Sequence, residues 1–324
     1  MVDKITRNDA ESWSAYWAGA EAANQSLSGG VRGEALDRFW ASFFTNRLKD
    51  GPRTMIELAC GAAPVSANAL KITKASGFAL TIHCTDYSPA AVRGVSVIAN
   101  ISGFVADACT LPLPSEVYDF AVTQFGLEYA GFAAFDEVAR ILRPEGVFAA
   151  VIHLKGGGIE DECAANLNII LKTQKIGLLP RAREVFKTGF AVLAGRAPRE
   201  KLLEADKAFA PTVQAAKSLI AESPASSARA FLLRLYSDLG HMYRRIGAYA
   251  PDDIEAWIGS GEFELKAYEH RMSSMISAAQ SEDDMKALID RLRAAGLNVT
   301  APEILHLGVP LKPAAWALIA EKPA

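Results

Sequence analysis

Apolar and polar positions alternate along this chain with two different periods, and the period changes mark the elements. Near the start, Trp13, Tyr16 and Trp17, and then Phe39, Trp40, Phe43 and Phe44, recur at helical spacing. They predict helices over 9–24 and 31–49, parted by the breaker Ser26-Leu27-Ser28-Gly29-Gly30. From Arg53 onward short apolar runs alternate with helical stretches, the pattern of parallel βαβ units. The runs predict strands over 54–58, 78–84, 101–105, 118–124 and 146–153. Pro64 suits a first helical position, and Ser88-Pro89 suits an N-cap followed by another.

After His153 the triplet Gly156-Gly157-Gly158 opens a long stretch of helical periodicity, punctuated at Pro180, Pro198, Pro224 and Pro251. The α/β pattern resumes with a helix over 282–295, a strand from 297 to about 307 and a last strand near 314–320. The expectation is an α/β fold with a mostly parallel sheet of about seven strands. It divides into N-terminal helices (1–50), a sheet domain (51–157 and 281–324) and a helical insertion after the fifth strand (158–280).

Composition narrows the function classes. With 324 residues, half of them hydrophobic, the chain is long enough for a full core and a second, smaller unit. A net charge of −3 announces neither a nucleic-acid binder nor a membrane-surface protein. Cys60, Cys84, Cys109 and Cys163 show no zinc-site spacing and no disulfide density, so a reducing, cytoplasmic location is expected. Met1–Glu11 lacks the apolar core of a secretory signal, and no apolar run reaches the roughly 18 residues of a membrane helix.

In an open parallel sheet, ligands collect beyond the carboxyl ends of the strands. Here those ends are chemically coherent: Glu57-Leu58-Ala59-Cys60-Gly61-Ala62-Ala63-Pro64 after the first strand, Asp86 after the second, Asp107 after the third, Gln124-Phe125-Gly126 after the fourth. The first turn resembles motif I of class I S-adenosylmethionine-dependent methyltransferases. Cys84-Thr85-Asp86-Tyr87-Ser88, Ala106-Asp107-Ala108 and Ala139-Arg140-Ile141-Leu142-Arg143-Pro144-Glu145-Gly146 resemble that family's later motifs, in order.

The resemblance implies a Rossmann-like fold, S-adenosyl-L-methionine as cofactor, and roles for particular residues. Glu57 and the backbone of Ala59, Cys60 and Gly61 would face the methionine end, and Asp86 would accept from both ribose hydroxyls. Asp107 and Ala108 would lie at the adenine beside Tyr87, while Gln124 and Phe125 would border the sulfonium. Ala59 and Ala63 replace residues that are commonly glycine in the family. A pyrophosphate needs successive glycines close against it, so this turn disfavours nicotinamide or flavin.

Each candidate has a plainer alternative. Asp86 alone would read as a cap for the helix at Ser88, and Asp107 as a solvated loop residue. His83 reads as a satisfied core residue. Cys60, Cys84 and Cys109 sit near one another in the expected sheet, but buried free cysteines usually behave as small hydrophobes, so no metal is expected. His153 ends the fifth strand and is the candidate general base, with Glu128 second.

For acceptor contacts the candidates are Tyr16 and Trp17 from the N-terminal helices and Tyr236, His241, Tyr243, Arg244 and His270 from the insertion. The insertion is also locally basic: eight cations between Lys172 and Lys201 face only Glu184 and Glu200. A solvated helix surface explains that more simply than an anionic partner. The expected activity is in-line methyl transfer to a small-molecule acceptor. The alternatives are a peptide, protein or nucleic-acid acceptor met through the basic stretch, and a catalytically silent binding protein. A homodimer stays open, and no membrane partner is expected.

Overall fold

A computed structural model describes residues 13–17, 34–48 and 53–324. The breaker at 26–30 and the outer parts of both N-terminal helices lie outside the described residues. Residues 13–17 are helical, and the second helix runs Glu34–Arg47. Its Leu36, Trp40, Phe43 and Phe44 are buried, a spacing of four, three and one that lines a single helix face.

The chain forms two compact units, residues 1–162 with 274–324, and residues 163–273. In the first, eight strands make one sheet: β1 Arg53–Leu58, β2 Leu80–Asp86, β3 Ile101–Val105, β4 Tyr118–Gln124, β5 Leu142–His153, β6 Asn298–Val299, β7 Glu303–Leu307 and β8 Lys312–Glu321. The order is β3-β2-β1-β4-β5-β8-β6, with β7 also paired to β8. The β1 to β5 pairings are parallel and those of β8 antiparallel. This is the expected Rossmann-like, mostly parallel sheet, with one strand more than the sequence predicts.

β5 is buried along its whole second half because both faces of the sheet are covered there. One face packs Ile56, Leu58, Phe148 and Ile152 against Phe135 and Val138 of the helix Phe132–Ile141 and Met285, Leu288 and Leu292 of the helix Glu282–Ala294. Each such side chain contributes roughly 1.5–3 kcal/mol when fully buried.

Several boundaries differ from expectation, three of them for a visible reason. The single strand expected over 297–307 is two, because Pro302 has no N–H to give a ladder. β2 ends at Asp86 rather than Cys84, since pairing with β3 continues to Asp86 opposite Val105. β5 begins at Leu142, where it meets Tyr118 before a register shift.

The second unit is helical, with a core that includes Ile170, Leu179, Ala216, Leu232 and Ile258. Within it Arg183 binds Glu262 through two nitrogens and Glu255 through a third, tying the helix Leu178–Leu193 to the helix Pro251–Ala278. Pro180 sits in the first turn of its helix, where a missing N–H costs nothing, so the chain breaks instead at Gly177, which is left-handed at φ 70°. No helix among the described residues is long and apolar enough to cross a membrane.

Candidate active site at the strand ends

The sheet order reverses between β1 and β4, whose carboxyl ends therefore open a crevice. The loop after β1 is built from alternate left-handed residues: Ala59 at φ 49°, Gly61 at 51° and Ala63 at 54°. The two alanines thus adopt the backbone that a glycine would take without strain, a cost of roughly 1–2 kcal/mol per residue. Gly126, after β4, completes the crevice, because a Cβ there would lie 2.6 Å from the Cβ of Ala59 and 2.8 Å from its carbonyl oxygen.

Glu57 does something the motif alone does not reveal. Ala63, the N-cap of the helix Pro64–Ser76, offers no side-chain bond, and Pro64 has no N–H. The next two N–H groups, of Val65 and Ser66, donate instead to the two carboxylate oxygens of Glu57, at 3.3 and 2.7 Å. Burial raises the Glu57 pKa to about 7, against the opposing pull of those hydrogen bonds.

Asp86 links two loops. One oxygen accepts from Gly61 N–H at 2.9 Å and the other from Ser88 N–H at 2.8 Å, while Ser88 itself caps the helix Pro89–Val95 through Ala91 N–H. Burial raises the Asp86 pKa, and these amides offset part of that rise. Each oxygen keeps a lone pair for a further donor. Asp107 accepts from Cys109 N–H at 2.8 Å, closing its own turn, and Ala106 N–H donates to the carbonyl of Asp86. Asp107 and Ala108 are half-buried and Tyr87 exposed.

At the end of β4 the carboxamide oxygen of Gln124 accepts from Trp40 Nε1 at 2.7 Å. Phe125 is left-handed at φ 55°, an outlier for a bulky residue, and its ring centroid lies 4.6 Å from that of His153. The single turn Leu127–Tyr129 then carries Glu128 back to the end of β5. Glu128 Oε1 lies 2.7 Å from His153 Nδ1 and also accepts from His153 N–H at 3.1 Å. Both residues are 3% exposed, and the ring of Tyr129 meets that of His153 edge-on at 5.8 Å. The two base candidates are therefore a hydrogen-bonded pair, buried beneath two half-buried aromatic rings.

Residues 13–17 reach the same edge. Trp17 lies against Gly61, where a Cβ would be 2.4 Å from its ring, and Tyr16 packs on Trp17. Ser14 Oγ is 3.0 Å from Ser88 Oγ, and Trp13 meets Tyr129 at 5.7 Å. Trp13, Tyr129 and Trp40 are site neighbours that the motifs do not reveal.

In the helical unit, Tyr236 and Tyr243 pack against that unit's own core, and the Tyr243 hydroxyl donates to Asp206 Oδ1 at 2.6 Å. Its pKa is pushed to about 12, by burial first and then by the carboxylate. His241, Arg244 and His270 are exposed on the same unit. The basic stretch is largely exposed, with Lys201 paired to Glu204 and Arg183 to two glutamates. His83 Nδ1 is bound to the Tyr118 hydroxyl at 2.7 Å. Among the described residues no His, Cys, Asp and Glu side chains are grouped to hold a metal, and none of the four cysteines forms a disulfide.

Acidic groups at the carboxyl ends of β1 and β2 and after β3, with glycine where the β1 and β4 loops approach, form an arrangement of the kind S-adenosylmethionine requires. Residues 56–150 match the family model described as a methyltransferase domain. No curated protein sequence matches the chain.

Among solved structures, the chain is similar to a methyltransferase in complex with the Haloferax volcanii Trm112 activator, at 20% identity and TM-score 0.34. That match covers 45% of this chain, which spans 60% of that one. It is also similar to the [4+2]-cyclase SpnF, at 14% identity and TM-score 0.42, over 97% of this chain and 93% of that one. A methyltransferase from Aquifex aeolicus is similar at 10% identity and TM-score 0.42, over 94% and 97%.

The residues present fit S-adenosylmethionine. Asp86 offers free lone pairs for hydroxyl donors, and the acidic edge suits a cation, whereas it would repel a pyrophosphate.

Proposed function

We propose that this protein transfers a methyl group from S-adenosylmethionine to a small-molecule acceptor, with the Glu128–His153 pair as its base. When bound, the cofactor supplies a methyl already activated on a sulfonium. The chain's own residues position and exclude water. Asp86 holds the ribose hydroxyls. Glu57 acts as a positioning residue, because its carboxylate fixes the turn that carries Ala59 and Gly61. Asp107 and Ala108 border the adenine beside Tyr87, and Gln124 and Phe125 flank the methyl.

The observation that carries this reading is Glu128 seated on His153 Nδ1. A carboxylate at Nδ1 keeps the proton there, which leaves Nε2 as the acceptor of a substrate proton. Alignment of acceptor and methyl in a site closed to water accounts for most of the acceleration.

The experiment is mass spectrometry of the purified protein for carried-over S-adenosylmethionine or S-adenosylhomocysteine, followed by a labelled-methyl screen of small acceptors. Bound cofactor and label in a small product support the proposal. Label confined to protein or nucleic acid would overturn the small-molecule assignment.

A further inference from the structure

Beside the Glu128–His153 pair stands one buried group that the chain leaves unsatisfied. Glu128 Oε1 takes two hydrogen bonds from His153, but Oε2 has no hydrogen-bond partner among the described residues, and the side chain is 1% exposed. An unpaired carboxylate oxygen in such a place is costly, and the donor that best offsets the cost carries positive charge.

The surroundings favour the same sign. The rings of Phe125 and Tyr129 lie on His153 at 4.6 and 5.8 Å, and Trp13 lies on Tyr129 at 5.7 Å, edge-on. Phe125, Tyr129 and Trp13 are half-buried, so part of each ring stays at the surface above the buried pair. Aromatic faces attract cations, Trp most strongly. The left-handed backbone of Phe125 costs energy and holds its ring at His153. Asp86, at the end of β2, and Asp107, just after β3, add negative potential at the same edge.

Resting on the methyl-transfer reading, we infer that the acceptor is an amine, bound as its ammonium cation by Glu128 Oε2 and the rings of Trp13, Phe125 and Tyr129. Its N–H donates to Oε2. Before the nitrogen lone pair forms the new N–C bond, the ammonium proton passes to His153 Nε2. The C–S bond that breaks leaves its electron pair on sulfur.

The test uses two molecules of one shape at pH 7: N,N-dimethylethanolamine, a cation, and 3-methylbutan-1-ol, in which carbon replaces the nitrogen. Each is titrated calorimetrically into the full chain, with and without saturating S-adenosylhomocysteine. The ammonium is expected to bind at least tenfold more tightly than the alcohol, in both conditions. Glu128→Gln should remove that preference, and Trp13→Leu, outside the buried pair, should weaken ammonium binding about threefold or more without affecting the alcohol.

Equal affinities, or a preference unchanged in both variants, would overturn the inference. So would displacement of the ammonium by S-adenosylhomocysteine, which would assign the rings to the cofactor. Failure of S-adenosylhomocysteine to bind counts against the methyl-transfer reading alone, because the ammonium is also titrated without it.

Discussion

His153 Nδ1 and Glu128 Oε1 lie 2.7 Å apart at the carboxyl edge of the sheet, with the backbone N–H of His153 donating to the same oxygen. One carboxylate thus fixes both the ring's tautomer and its place at the end of β5. His153→Ala should lower kcat by about 100-fold or more, and Glu128→Gln nearly as much, because each removes the oriented base. Affinity for S-adenosylhomocysteine should stay within about twofold. Steady-state turnover alongside cofactor titration and melting temperature separates this outcome from simple unfolding. Full turnover in both variants would remove the pair from the mechanism.

Glu57 makes folding stability depend on pH in a direction unusual for a carboxylate. Its folded pKa is about 7, above the ordinary 4.5, so its contribution is fully present below 4.5 and is lost as pH rises through about 7. The difference corresponds to about 3 kcal/mol at most. Thermal melts of the wild type and Glu57→Gln should show the wild type losing stability relative to the variant between pH 5 and pH 8. A constant difference would mean that Glu57 does not titrate in that window.

Gly126 faces Ala59 with no room for a side chain, as its Cβ would meet Ala59 at 2.6 Å. Gly126→Ala should push the β1 and β4 loops apart, costing roughly 1–3 kcal/mol of stability. It should also weaken cofactor binding, since both loops border the crevice. Denaturant unfolding and cofactor titration of this variant check the two effects together.

Tyr243 supports the helical unit through its hydrogen bond to Asp206. Tyr243→Phe keeps the ring on Phe186 and leaves Asp206 free to take a hydrogen bond from water. It should cost about 1 kcal/mol, read as a lower melting temperature with KM for the acceptor unchanged. A raised KM at unchanged stability would give the hydroxyl a substrate role instead.

Much of this was legible in the sequence where local chemistry decides the outcome. β3 and β4 fall where apolar runs and turn residues predict them, and Ser88-Pro89 caps its helix as expected. Less legible were features that depend on partners distant in the chain. Glu57 reads as a motif acid, yet its oxygens go to a helix eight and nine residues on, because Ala63 and Pro64 leave that helix uncapped. Glu128 and His153 are 25 residues apart, and Trp40 and Gln124 are 84 apart. Such pairs meet only through the sheet order, which local periodicity does not encode. The split between β6 and β7 follows from Pro302, which the expectation of one strand over 297–307 does not take into account.

The central claim, that the strand-end crevice binds S-adenosylmethionine through Asp86, is tested most directly by calorimetric titration of S-adenosylhomocysteine into the wild type and Asp86→Ala. A carboxylate accepting hydroxyl hydrogen bonds contributes roughly 1.5–3 kcal/mol for each. The wild type should bind, and the variant should bind at least tenfold more weakly while still folding. Equal affinity in the two proteins, or no binding by the wild type, would contradict the account.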